Sequence, residues 1–169
     1  MGKQKVTSAG ANKILRKLQD DKEFLLDRER ESCVYIKVEG YSEEKPEYNY
    51  KNARDRIREI DEKIARIKHA INVFNCTTKL PNFEDMTIDR ALIKMAQLNK
   101  EKDRLDVMRK RLPQSRKQER YGTSSSLVEY ICANYDIEAA KSDYDAICDE
   151  IIQLQMDIDF VNQTELFEL

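Results

Sequence analysis

The sequence predicts an all-α protein with four long helices in antiparallel coiled-coil or bundle packing. The chain of 169 residues holds only 4 Gly and 3 Pro, while 37% of its residues are charged. Few helix breakers and many charges at helical spacing are typical of long helices. Between Tyr50 and Phe74, apolar residues recur at alternating spacings of three and four. This repeat places them on one stripe of a helix, which must be buried against other helices. A chain of this length predicts one domain over residues 1–169.

The helix predicted over residues 50–75 has the clearest stripe. Its apolar positions are Ile57, Ile60, Ile64, Ile67, Ile71 and Phe74. The first helix is predicted over residues 8–33, with Thr7 or Ser8 as its N-cap. Its apolar positions are Ala11, Ile14, Leu15, Leu18, Leu25 and Leu26, and Lys22 interrupts the stripe. A polar connection over residues 40–49 makes these two helices antiparallel neighbours.

The third helix is predicted over residues 86–112, where Asp85 or Thr87 can act as the N-cap and Pro113 ends the helix. Its apolar positions are Ile88, Ala91, Leu92, Met95, Leu98, Leu105, Met108 and Leu112. An irregular insert follows over residues 113–135. Residues 33–38 and 127–132 are rich in β-branched residues and tyrosine. We expect them to form at most a small two-stranded ribbon with each other.

The last helix is predicted over residues 136–163, with Asp136 as its N-cap. Its stripe comprises Ile137, Ala140, Tyr144, Ile147, Ile151, Leu154, Ile158 and Val161. Beside this stripe, Cys148, Ile152 and Met156 widen the apolar face. So wide a face predicts contacts with more than one neighbour, within the subunit or between subunits. We therefore expect a homo-oligomer, a dimer or larger.

The residues give no support to an enzyme, and we expect no catalytic residue, metal ion or cofactor. The single histidine, His69, lies on the solvent side of its helix, and no nucleophile and base stand in a recognisable arrangement. Two pairs of acids stand two residues apart, a spacing that points their side chains to different sides of a helix. We expect them to be solvated. These pairs are Asp143 with Asp145 and Asp157 with Asp159.

No run of residues is long and apolar enough to span a membrane, and no export signal is recognisable. Four cysteines without metal-ligand spacing indicate reduced thiols and a cytoplasmic protein. The net charge of -2 identifies no partner, and we expect none among nucleic acids.

A basic cluster lies after the third helix and is followed by an aromatic residue and several hydroxyls. Arginine forks, an aromatic face and free backbone amides are suited to a phosphate-bearing ligand. The candidate anion-binding residues are Arg109, Lys110, Arg111, Arg116, Lys117, Arg120, Tyr121 and Ser124. The alternative is that acids at the start of the fourth helix neutralise the cluster. These acids are Asp143, Asp145 and Asp149.

Polar residues stand at the ends of the second and fourth helices. They are Asn72, Asn75, Thr78, Asn162 and Thr164. An asparagine near a helix C-terminus often closes the helix in the left-handed conformation, and this is the structural role that we expect. The alternative is a polar pocket shared between the two helix ends.

Three stretches resemble the septicolysin-like family of small bacterial helical proteins. They are Ile71 to Leu80 with Met86, Ala91 and Leu92; Asn134 to Ile137; and Asn162 to Leu166. The sequence departs from the family at Gln163, where many members have Trp, and around Gly40. The resemblance implies an oligomeric all-helical protein with a small irregular insert. The family is functionally uncharacterised.

Three functions follow as hypotheses. The first is a non-enzymatic oligomeric scaffold or interaction protein, because packing accounts for nearly every patterned residue. The second is a binder that sequesters an anionic small molecule such as a nucleotide. The third, a membrane-active toxin of the cytolysin type, has little support from these charged helices.

Overall fold

Helical structure accounts for 68% of the computed structural model, which describes residues 4–40, 45–117 and 128–169. Within these residues the helices are α1 (Ser8–Ser32), α2 (Tyr50–Thr77), α3 (Ile88–Arg109) and α4 (Ile137–Thr164). The strands are β1 (Lys5–Thr7), β2 (Gln114–Arg116), β3 (Tyr130–Cys132) and β4 (Leu166–Glu168). The predicted mainly helical fold with four long helices and a small ribbon is confirmed.

Side-chain caps fix three of the helix starts. Thr7, Asn49 and Asp136 each accept a hydrogen bond from backbone N–H groups in the first turn of the helix that follows. Those N–H groups have no partner inside the helix, so each cap removes an unsatisfied donor. Thr87 precedes α3 but does not cap it in this way, because its hydroxyl donates to Asp89 at 2.6 Å.

The chain divides into two units, of which the first comprises Met1–Thr78 and Asp159–Leu169. Here α1 and α2 form an antiparallel hairpin around a core of Ala11, Leu15 and Ile67. Lys22, which interrupts the apolar stripe of α1, donates to Asp61 of α2 at 2.6 Å. The ion pair therefore replaces an apolar contact at this level of the hairpin.

The two ends of the described chain form a small sheet within the first unit. Strand β1 pairs antiparallel with β4, and Val6 lies opposite Phe167. This register turns the Phe167 ring onto Phe74 of α2, with ring centroids 4.7 Å apart. The sheet thus adds Val6 and Phe167 to the α1–α2 core. This pairing was not predicted from the sequence.

The second unit comprises Lys79–Ile158. Its part of α4 runs antiparallel to α3, as two side-chain contacts show: Lys94 donates to Glu150, and the Arg109 guanidinium lies 3.8 Å from the ring centroid of Tyr144. A turn before α3 is held by Asp157, which is buried. Its carboxylate accepts hydrogen bonds from the backbone and side-chain nitrogens of Asn82 at 3.2 and 2.8 Å. The expectation that Asp157 is solvated is therefore wrong.

The predicted stripes of α2 and α4 are confirmed residue by residue, since every position of each stripe is buried or half-buried. The prediction for α3 is wrong at Leu92 and Leu112, which are exposed. Leu92 directly follows buried Ala91 and is therefore turned by about 100° from it around the helix. Leu112 lies outside α3, which ends at Arg109. Its neighbour Pro113 disfavours helical backbone at the preceding residue.

The predicted strand partner of residues 127–132 is also wrong. Strand β3 pairs antiparallel with β2, with Ser115 opposite Ile131. Residues 33–38 form neither helix nor strand. Strands β2 and β3 are close together in the chain, so their pairing closes a much shorter loop and costs less entropy. Coiled-coil packing and a single domain over residues 1–169 stay predictions.

Two leucines of α3 test this account of the core. Leu98 is 8% exposed and Leu92 is 46% exposed. Leu98→Ala should lower the free energy of unfolding by about 2–5 kcal/mol, because it leaves a cavity. Leu92→Ala should cost less than about 1 kcal/mol. Denaturant unfolding of both variants measures the difference, and equal losses would contradict the assignment of Leu92 to the surface.

Candidate functional site

The predicted basic cluster begins with two residues that are already paired within their own helix turn. Asp106 accepts hydrogen bonds from Arg109 Nε and Nη2 at 2.9 and 2.7 Å and from Lys110 Nζ at 2.5 Å. The Lys110 and Arg109 hydrogen bonds lower the pKa of the Asp106 carboxyl from its ordinary value. Such i,i+3 and i,i+4 pairs are favoured on a helix surface. A ligand would have to compete with Asp106 for both cations.

Arg109 is further held by an aromatic ring. Its guanidinium stacks over Tyr144 of α4, a cation–π contact that restricts the side chain. The hydrogen bond to Asp106 raises the pKa of Arg109, and the nearby charge of Asp145 acts in the same direction. We therefore assign Arg109 a structural role in joining α3 to the facing part of α4.

A third base of the cluster, Lys117, is paired with a residue of the hairpin formed by β2 and β3. Lys117 donates its backbone N–H to the Glu129 carbonyl at 2.9 Å, and its ammonium pairs with the Glu129 carboxylate. This pairing raises the pKa of Lys117. Glu129 and Asp106 are thus the acids that neutralise the cluster. Within the described residues none of the three predicted acids forms an ion pair, so the predicted pairing with Asp143, Asp145 and Asp149 is wrong.

Arg111 and Arg116 are the bases of the cluster that remain without an ion-pair partner among the described residues. Arg120, Tyr121 and Ser124 lie outside the described residues. The structure therefore places five of the eight predicted anion-binding residues, and three of those five are already paired.

An open cavity of about 620 Å³ lies beside Arg111. Its lining comprises residues 109–113, Ala133 and residues 135–138. The Tyr135 hydroxyl donates to the Met108 carbonyl at 2.7 Å. Asp136 accepts from the first free N–H groups of α4, so these donors are already used. Because Asp136 and Glu138 line the same cavity, its charge is mixed rather than purely basic.

The polar residues at the helix ends do not adopt the left-handed conformation that we expected. Within the described residues, Asp85 is the one residue other than glycine with a positive φ. Both helices instead continue past their asparagines and end at threonines. The hydroxyls of Thr77 and Thr164 donate to the carbonyls four residues earlier, Val73 and Phe160, each at 2.8 Å. Hydroxyl bonds to the preceding turn therefore stand where left-handed asparagines were expected.

The alternative predicted for these residues, a polar pocket shared between the two helix ends, agrees only in part with the structure. A cavity of about 430 Å³ in the first unit is lined by the end of α2 and by residues 165–168. Thr78 is the one predicted residue in its lining, which does not include Asn72, Asn75, Asn162 or Thr164. Asn162 has a buried Oδ1 that accepts no hydrogen bond from the described residues.

A third cavity, of about 240 Å³, was not predicted and lies at the end of the α1–α2 hairpin where the connection joins the two helices. Tyr48 lines it and donates to Glu29 Oε1 at 2.5 Å. This hydrogen bond raises the pKa of Tyr48 to about 12, because ionising the phenol would remove the proton that Glu29 accepts. Arg28 and Arg56 approach from the two helices. No sequence spacing could have identified this cavity, since Tyr48 lies in an irregular connection.

The outer face of α4, defined here by Ile152 and Met156, lies beside the predicted stripe and is exposed. Ile152 is 56% exposed and Met156 is 61% exposed, while Leu154 between them is buried. Phe160, the next residue at this spacing, is also exposed. The widening of the apolar face that the sequence predicted is therefore present, and the outer part of it faces solvent.

Neither a metal site nor a membrane-spanning helix is found among the described residues. In the part of the chain that the structure describes, no three His, Cys, Asp or Glu side chains are grouped so that they could hold a metal ion. Across the same residues, no helix has the length and hydropathy needed to cross a membrane.

Comparison with known proteins identifies the fold but no function. No protein-family model matches the chain, and no curated protein matches it. Among solved structures, the chain is similar to a functionally unknown conserved protein from Corynebacterium diphtheriae. The two are 21% identical with a TM-score of 0.61, over 97% of this chain and 99% of that one. A likeness at this level of identity shows a shared fold alone.

The Tyr48 hydrogen bond gives a testable titration. The folded pKa of about 12 lies above the ordinary value of 10.0. The bond therefore stabilises the fold fully below pH 10, and its contribution is lost as the pH rises towards 12. Tyrosinate absorbance should show Tyr48 ionising after most of the 8 tyrosines. Glu29→Gln should move this late step towards pH 10, and Glu31→Gln should leave it in place. An unchanged late step in Glu29→Gln would contradict the assignment.

Proposed function

We propose that this protein is a non-enzymatic helical interaction protein that assembles with copies of itself through the outer face of α4. The observation that carries the proposal is the exposure of Ile152 and Met156 on a helix whose other face is already buried. Contiguous apolar surface of this kind is a common mark of a protein–protein contact. Our proposal includes membership of the septicolysin-like family and a cytoplasmic location.

Burying a large aliphatic side chain contributes about 1.5–3 kcal/mol relative to leaving it in water. Ile152 and Met156 are spaced four residues apart, so they form one short row on the surface of α4. In the monomer this row is exposed to water, so it does not contribute this stabilisation. A helix from a second copy provides a matching apolar surface without any change in the fold.

A second candidate function is the binding of an anionic small molecule, such as a nucleotide, near Arg111 and Arg116. The observation that favours it is that neither guanidinium has an ion-pair partner among the described residues. Arg111 also lines the cavity of about 620 Å³. Asp136 and Glu138 in that lining oppose an anion, so we place this candidate second. A membrane-active toxin comes third, because charged side chains make up much of the exposed surface of the helices.

Self-assembly is tested by the mass of the protein in solution. We expect light scattering at micromolar concentration to give at least twice the chain mass of 19.9 kDa. Changing Ile152 and Met156 together to Glu should reduce the mass to that of one chain and leave the helix content unchanged, because glutamate is a good helix former.

The matched control replaces Ile93 and Val107, which are similarly exposed on α3, with Glu. This variant should remain oligomeric. A wild-type protein of 19.9 kDa would overturn the proposal. If both double variants dissociate, the contact does not lie on the outer face of α4.

The second candidate is tested by ligand-induced thermal stabilisation with a panel of nucleotides and inorganic phosphate. Each charge-assisted hydrogen bond to an anion contributes about 1.5–3 kcal/mol. Replacing Arg111 and Arg116 with Ala should therefore weaken binding by about a hundredfold or more. The control is Lys117→Ala, which removes a base already paired with Glu129 and should weaken binding far less. If no anion stabilises the wild-type protein, the second candidate fails.

A further inference from the structure

The connection between α1 and α2 exposes an apolar run that neither helix uses. Residues 34–38 read Val-Tyr-Ile-Lys-Val. Ile36 is 85% exposed and Val34 is 73% exposed, and Tyr35 and Val38 also face solvent. These residue types favour β-strands, yet no described strand pairs with them. An exposed run of this composition is the kind of segment that adds to another strand.

The length of the connection also favours a role beyond joining the two helices. Ser32 ends α1 and Tyr50 begins α2, so 17 residues join two antiparallel helices. Helix–helix connections in bundles usually need about 2–8 residues. The extra length is not required to close the hairpin. Long connections of this kind are commonly functional.

The run is also complementary to itself. In an antiparallel pair centred on Ile36, Ile36 lies opposite the partner's Ile36 and Val34 opposite the partner's Val38. Because side chains alternate between the two faces of a strand, these three apolar residues share one face. On the other face Tyr35 lies opposite the partner's Lys37, which brings an aromatic ring to a cation. No like charges oppose each other at any position of this pairing.

We propose that residues 34–38 form an antiparallel strand pair with the same residues of a second copy of this chain, centred on Ile36. This inference rests on the proposed self-assembly, since an isolated two-stranded ribbon is marginally stable in water. A contact elsewhere between the copies raises the effective concentration of the two segments.

Site-directed disulfides test both the pairing and its register. In a background with Cys33, Cys76, Cys132 and Cys148 changed to Ser, the test variant is Ile36→Cys. Directly opposite residues lie within disulfide distance, about 4.5–5.5 Å between Cα atoms. The control is Lys37→Cys, whose two copies are offset by two positions and lie about 7–8 Å or more apart. Mild oxidation and non-reducing electrophoresis should show the Ile36→Cys dimer forming at least about tenfold faster.

A second measurement does not depend on disulfide chemistry. Ile36→Lys places like charges opposite each other at the centre of the pair and should lower the mass measured by light scattering. Phe24→Lys changes another exposed apolar residue, on α1, and should leave the mass unchanged. Circular dichroism confirms that each variant keeps its helices.

The outcomes separate this inference from the proposed function. If the wild-type protein is oligomeric while Ile36→Cys cross-links no faster than Lys37→Cys, the strand pairing is wrong and self-assembly stands. If Lys37→Cys cross-links faster, the register centred on Ile36 is wrong. If the Ile152 and Met156 double variant remains oligomeric but Ile36→Lys dissociates, the strand pairing stands and the proposed role of α4 is overturned.

Discussion

Each long helix of this protein carries an apolar stripe that must be removed from water. Ile64, Ile67 and Ile71 cannot all leave water unless a second helix covers them, and α1 supplies Ala11 and Leu15 for that purpose. The small sheet of β1 and β4 extends the same cluster, because its register turns Phe167 onto Phe74. Local sequence sets the helices, but burial of the stripes determines which surfaces meet.

Charged residues follow a second rule in this protein: most ion pairs among the described residues join residues three or four positions apart. Asp106 neutralises Arg109 and Lys110 within about one helical turn. Asp157 is a different case, because it is buried and is held by Asn82, far away in the sequence. A buried carboxylate must have such partners, since leaving it without hydrogen bonds would be costly. Its loss would release the turn before α3.

These two rules explain what the sequence could predict. Periodicity at spacings of three and four is a local property, so the stripes of α2 and α4 and their helix bounds could be predicted well. Leu92 could not be placed, because the sequence shows a hydrophobic residue without showing which angle of the helix is covered. Leu112 was misplaced because the helix ends three residues earlier than predicted, at Arg109. The partner of β3 was missed although it is near in the chain, because residues 114–116 lack the β-branched and aromatic side chains by which strands are recognised. The role of Asp157 depends on Asn82, which is distant in sequence, and no single-sequence pattern reveals such a partner. The same holds for Tyr48 and its bond to Glu29 in a candidate cavity. For the basic cluster, residue types predicted a candidate anion site, but which of the described bases stay free depended on Asp106 and Glu129.

The residues that the packing of the fold does not use are the best indication of function. Three of the five described bases of the predicted anion site are engaged in pairs that stabilise a helix end or a hairpin, and surface pairs of this kind contribute little beyond local order. The apolar residues of the outer face of α4 and of residues 34–38 are different, since the packing described for each unit does not use them. A solvent-exposed row on a helix and an exposed β-prone segment gain stability only from another molecule. A second copy of this chain carries a matching surface for both, whereas an anionic ligand would contact neither.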